Sequence, residues 1–135
     1  MINIGDCFTL HTHGKPHLHI VVQDQRPGDI NSQVICVYLC SVGTKTIIDD
    51  RTILEKGQHT FITEKSFIKY NNVLVESKCD IEPKILDRYE QIDNGILNHI
   101  QSQFLGQYSY KKIPNGIKLL FNQWHEDNIF NRDDF

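Results

Sequence analysis

Residues 7–23 read Cys7-Phe8-Thr9-Leu10-His11-Thr12-His13-Gly14-Lys15-Pro16-His17-Leu18-His19-Ile20-Val21-Val22-Gln23. Two β-rich runs, Cys7 to Thr12 and His17 to Gln23, flank Gly14-Lys15-Pro16, which is turn chemistry. Read as a hairpin with a three-residue loop, Gly14 to Pro16, the segment pairs His13 with His17 and His11 with His19. Side chains alternate between faces along a strand, so this register puts all four imidazoles on one face. Phe8, Leu10, Leu18, Ile20 and Val22 then form the opposite, core-facing side. A slip of one residue would divide the histidines between the two faces.

Outward from the hairpin, Arg26-Pro27-Gly28-Asp29 is a turn and the chain stays polar through Gln33. Val34 to Val42 is the most apolar run, short and rich in β-branched residues, and reads as a central strand. Cys36 and Cys40 fall on one face of it, as small buried hydrophobes. Gly43 to Asp50 and Arg51 to Leu54 fit a further strand and a turn, and Gln58 to Thr63 and Asn72 to Ser77 are further strands. The period then changes. Ile92, Gly95, Ile96, His99, Ile100, Gln103 and Phe104 have helical spacing, with Gly106 as the stop. Pro83 opens a shorter helical turn through Leu86 and Tyr89. Ile117, Leu120, Phe121 and Trp124 suggest a last helix after Pro114-Asn115-Gly116. Strands first and helices last predict an α+β fold, mainly β: a small curled antiparallel sheet capped by one or two C-terminal helices.

A chain of 135 residues is long enough to bury a core of its own. It contains no apolar run of membrane-spanning length. Met1 to Asp6 lacks the basic start and long apolar stretch of a signal peptide, so the cytoplasm is the expected location. Four cysteines without a CxxC pair then read as reduced thiols. The net charge is −3, which excludes a generic polyanion binder but not a small basic site. Residues 126–135 carry Glu126, Asp127, Asp133 and Asp134 against Arg132, so the whole deficit lies there and residues 1–125 are neutral. This divides the chain into one globular domain over 1–125 and an acidic tail over 126–135. The charge reads as a mobile tail; Ile129, Phe130 and Phe135, unusual in a solvated tail, leave a docking segment as the alternative.

Three readings of the histidine cluster are open. His11, His13, His17 and His19 are suitable ligands for a transition metal, because neutral ring nitrogens bind zinc, nickel or copper near pH 7. His13, Lys15 and His17 offer proton transfer and phosphate contact on a loop. The third reading is a solvated strand face with no chemistry. Ser41, Thr44 and Lys45 follow the central strand at a loop rim, and His59 can reach the same rim. Tyr108, Tyr110 and Trp124 near Lys111, Lys112 and Lys118 fit either a small stacking surface or ordinary core and solvated lysines. The chain has no Walker motif, GxSxG elbow, HExxH or GxGxxG, which removes the usual grounds for nucleotide, serine-hydrolase or zinc-protease function.

Gly5-Asp6, Lys15-Pro16-His17-Leu18-His19-Ile20-Val21-Val22, Val37-Tyr38-Leu39-Cys40-Ser41 and Val73-Leu74-Val75-Glu76-Ser77 come in this order, followed by the helical pattern. The order resembles the PemK/MazF-like toxin family over about residues 5–105. The resemblance implies a small SH3-like barrel and metal-independent cleavage of single-stranded RNA, with no cofactor. It implies an antitoxin-like partner and pairing into a homodimer. The family's implicated residues are an Arg in the first hairpin and a Ser or Thr after the third strand. Ser41 matches the second; Lys15 stands at the first. A lysine is a point charge, whereas arginine grips phosphate through a planar fork. A toxin-type endoribonuclease would use His13 or His17 as base, Lys15 on phosphate and Ser41 in assistance. The change at Lys15 also suits a relative without activity. The alternatives are a non-catalytic SH3-like protein-binding module acting through a groove or the acidic tail, and a metal-binding protein using the four histidines.

Overall fold

The computed structural model describes residues 1–43, 51–105 and 113–133, except for the side chains of 130–133. The N-terminal hairpin forms, but in another register. Strand β1 (Cys7–Thr12) pairs antiparallel with β2 (Lys15–Asp24), with Thr12 opposite Lys15, Leu10 opposite His17 and Phe8 opposite His19. The loop is therefore two residues, His13-Gly14, not three. Both are left-handed, with φ of 51° and 85°. That is the signature of a primed two-residue turn, whose twist matches the strands it joins. The pull of this turn outweighs the Gly-Lys-Pro signal and moves the pairing by one residue.

The slip redistributes the faces. Leu18 and Ile20 share one face with Cys7, while Phe8 and Leu10 lie on the other with His17 and His19. The expected single apolar face is thus split between the two sides of the sheet. Both sides are nonetheless buried.

Strand β3 (Gln33–Ser41) is central, as its composition predicts. Its Val34 to Tyr38 stretch pairs with β2, with a bulge between Val21 and Gln23. Strand β4 is Ile53–Leu54, β5 is Ser66–Ile68 and β6 is Leu74–Ser77. The other edge of β3 is shared, β6 along Gln33 to Cys36 and β5 along Leu39 to Ser41. Strand β7 (Asp87–Tyr89) pairs with Cys7 to Thr9 of β1. The order is β4-β5-β3-β2-β1-β7, with β6 beside β3. Among the described residues the end strands do not meet. The fold is α+β and mainly β, with an antiparallel sheet that is open rather than a closed barrel.

The expected strand over Gln58–Thr63 is instead a pair of turns, closed by Gln58 N–H to Glu55 O and Ile62 N–H to His59 O. Phe61 N–H is taken by the His59 ring, so the segment spends on itself the groups a strand would offer. Helix α1 (Lys78–Ile81) and a 3₁₀ turn over Glu82–Lys84 contain Pro83. That helical turn stops short of Leu86, and Tyr89 is in β7. Helix α2 is Asn94–Leu105, and α3 is Asn115–Asp133. Helix α3 continues through the acidic segment expected as a tail, and Asn128 Nδ2 donates to Asp24 O at 2.9 Å. Residues 44–50, Gly106, and the Tyr108, Tyr110, Lys111 and Lys112 group lie outside the described residues, as do the side chains of Phe130 and Phe135.

One core lies between the sheet and the last two helices. Leu18, Ile20, Val22, Val37 and Leu39 meet Ile100, Phe104, Phe121 and Trp124 there. The Phe104 and Phe121 rings stack at 4.6 Å. On the reverse face Ile2 and Ile81 cover Phe8, Leu10, Val21, Val34 and Cys36. Tyr38, Cys40 and Phe67 continue that face toward the end of β3. Cys36 and Cys40 are both buried on this side, as their spacing predicts. Burial on both faces explains why β3 reads as a continuous apolar run instead of alternating.

Candidate functional site

Beyond the His19–Tyr38 pair the β2–β3 ladder stops, and a cleft of about 480 Å³ lies there. Lys15, Pro16 and His17 border it from β2, and Leu39 and Ser41 from β3. The 60–66 segment supplies Thr60, Phe61, Thr63, Glu64 and Ser66, and Tyr89 comes from β7. The structure therefore brings three of the four expected catalytic residues, Lys15, His17 and Ser41, to one place. His13, in the turn, is not part of the cleft wall. Thr44 and Lys45 lie outside the described residues.

Alternation refines this picture. His17 has the same parity as His19, whose cross-strand neighbour is Tyr38, so both imidazoles belong to the Tyr38 face of the sheet. Ser41 has the parity of Leu39, on the opposite face. His17 touches the cleft while its ring packs edge-on against Tyr38, with centroids 5.0 Å apart. His13 and His19 stack on the same tyrosine at 5.8 and 5.6 Å. Phe8 stacks on His19 from beyond, at 6.5 Å. The cluster is thus three imidazoles around one buried phenol.

Hydrogen bonds fix these rings. His17 Nδ1 is 3.0 Å from Thr12 Oγ1. His19 Nδ1–H donates to His17 O at 3.0 Å, which assigns its proton to that nitrogen. Asn72 Nδ2 donates to the Tyr38 hydroxyl at 2.8 Å. Burial pushes the His19 pKa down to about 4, and burial with the nearby Lys15 charge lowers that of His17. Burial likewise raises the Tyr38 pKa. All of these shifts favour uncharged side chains, because a low-dielectric site penalises ions.

The histidines are arranged differently from the expected single face. His11 is exposed opposite Pro16, on the face away from His17 and His19, so the four imidazoles do not gather. Among the described residues no group of three or more His, Cys, Asp or Glu side chains is arranged to hold a metal ion. The solvated-face reading also fails for His17 and His19, which are 8% and 1% exposed. In both cases the cause is the one-residue change of register.

His59 lies behind the rim: its neighbours Thr60 and Phe61 line the cleft, and its own side chain does not. It is buried, accepts Phe61 N–H at Nδ1 (3.1 Å) and donates from Nε2–H to Glu90 O (2.8 Å). Phe61, Tyr89 and Thr60, which build the far wall, carry no sequence pattern that marks them as site residues. Only their proximity to His59 along the chain, or to the closing strand, hints at it. Trp124 belongs to the core.

No protein-family model matches the chain, and comparison with curated proteins finds no match. Among the described residues no helix is long and apolar enough to cross a membrane.

Proposed function

We propose that this is a PemK/MazF-like protein of the cytoplasm that holds single-stranded RNA in the cleft at the open end of the sheet. The observation that carries the reading is the convergence there of Lys15, aromatic rings and hydroxyls, with Glu64 the carboxylate on the same wall. Lys15 provides a phosphate contact, Phe61 and Tyr89 offer surfaces for unstacked bases, and Ser41, Thr60, Thr63 and Ser66 suit ribose and base edges. A near-neutral domain with one lysine in the site predicts modest affinity and a shallow salt dependence.

Metal-free cleavage needs more than binding. The 2′-oxygen attacks the adjacent phosphorus as a base removes its proton. The 5′-oxygen leaves with a proton from an acid, yielding a 2′,3′-cyclic phosphate and a 5′-hydroxyl. His17, favoured in its neutral form, is the residue suited to act as base, with Lys15 on the phosphate and Ser41 assisting. Its ring, however, packs edge-on against Tyr38, and His17 is only 8% exposed. We therefore favour a relative that binds RNA without cutting it.

The test is fluorescence anisotropy with short labelled single-stranded RNAs, followed by analysis of the RNA termini. Binding is expected, and Lys15→Ala should lower the log–log salt slope by about 0.7, the share of one phosphate contact. New cyclic-phosphate termini that disappear in His17→Ala would establish the endoribonuclease instead. Absence of any RNA binding by the wild-type chain would remove the proposal.

A further inference from the structure

The cleft's far wall has an unusual construction. From Glu55 to Lys65 the chain contributes no helix or strand, yet it presents Thr60 and Phe61 to the site. Ladder bonds do not place it. Ile62 anchors it in the main core and Phe61 packs against that core, while His59, buried within the segment, supplies a polar tie.

We propose that His59 is a positioning residue of the cleft, a latch that uses both ring nitrogens to hold the 59–61 segment against Glu90. The proposal rests on the RNA reading only for the identity of the ligand. Its geometry is independent of that reading. Phe61 N–H points its proton at Nδ1, so Nδ1 must present a lone pair. Glu90 O is an acceptor, so Nε2 must carry the hydrogen. One tautomer alone satisfies both partners, and it joins positions 31 residues apart in the chain.

Glu90 completes the latch. Its Oε1 accepts Thr60 N–H at 2.8 Å and also accepts the Thr60 hydroxyl. These bonds hold the Glu90 carboxyl below its ordinary pKa, so it stays an acceptor at neutral pH. Tyr89 immediately precedes Glu90. Its ring meets His59 edge-on at 6.2 Å and Phe61 edge-on at 5.2 Å. The latch therefore brings together two rings from separate parts of the chain, and both line the cleft. Loss of the latch should loosen this pairing without unfolding the sheet, because the ladder bonds remain and Phe61 and Tyr89 keep their packing against the main core.

The test uses the full chain and three variants. His59→Asn keeps an acceptor where Nδ1 stands, His59→Gln reaches a donor toward Glu90 O, and His59→Ala keeps neither. Amide hydrogen exchange at Phe61 and imidazole nitrogen chemical shifts read the latch, and anisotropy with a labelled single-stranded RNA reads the wall. The wild type should show the Nε2–H tautomer. In His59→Ala, Phe61 exchange should rise about tenfold, the loss expected for a buried hydrogen bond, and RNA affinity should fall about fivefold. His59→Asn should recover most of the Phe61 protection and part of the affinity. If His59→Ala does not fold, Thr60→Ala replaces it, with Phe61 exchange expected to rise a few-fold. Unchanged Phe61 exchange, or no rescue by either amide variant while folding is retained, overturns the latch. A wild type with the expected exchange pattern but no RNA binding sinks the RNA reading and supports the latch.

Discussion

Gly14 sits at φ 85° with nothing near the position a Cβ would occupy. A methyl group there meets open space, so the cost of Gly14→Ala is purely that of a left-handed backbone. The expected loss is about 1 kcal/mol, measured as a lower urea midpoint at unchanged slope. His13, its neighbour in the turn, already carries such a strain and offsets it by stacking on Tyr38. Two residues on, pairing parity sends His17 and His19 into the protein. The folded His19 has a pKa near 4, below the roughly 6.5 of the unfolded chain. As pH falls below 6.5, the unfolded state takes up a proton that the folded state refuses. Stability present above pH 6.5 is thus lost progressively down to about pH 4, by up to about 3 kcal/mol. His17 acts in the same direction. Urea midpoints between pH 7.5 and 4.5 should fall for the wild type and fall less for His19→Gln. Equal slopes would show that His19 is not the cause. None of this is visible in the residue string, since a Gly-Lys-Pro loop and a His-Gly turn differ by one position and opposite faces follow.

At the scale of elements, period was legible and register was not. The apolar run of β3 and the helical spacing of α2 depend on local chemistry, and both elements stand where the sequence puts them. The segment around His59 has the composition of a strand because Phe61 and Ile62 add apolar character to turns that side chains hold. A charge count says nothing about where a helix stops, and α3 continues through Glu126 and Asp127. A further element-level tie is hidden in sequence as well. Lys78 of α1 reaches Asp24 at the end of β2, N to O 2.6 Å, and both are almost fully buried. Ser32 Oγ donates to the same carboxylate. Lys78→Met would strand a buried charge and should cost about 3–5 kcal/mol. Lys84→Met breaks an exposed pair with Glu76 and should cost under about 1 kcal/mol. Similar losses for the two variants would contradict the burial argument.

For the whole molecule, the sheet covered on both sides leaves its functional opportunity at one end, where β2 and β3 part. Lys15, His17 and Ser41 were legible as site candidates because strand ends deliver residues to a common rim. The far wall was not, since it depends on a contact between His59 and Glu90 that no local pattern announces. The single tryptophan of the chain, Trp124, is 3% exposed where α3 meets the sheet. The protein thus contains its own optical reporter. Indole emission should lie to the blue in the native state and move to the red when α3 leaves the sheet. Fluorescence of the unlabelled chain, excited at wavelengths where its five tyrosines do not absorb, can therefore follow detachment of the last helix.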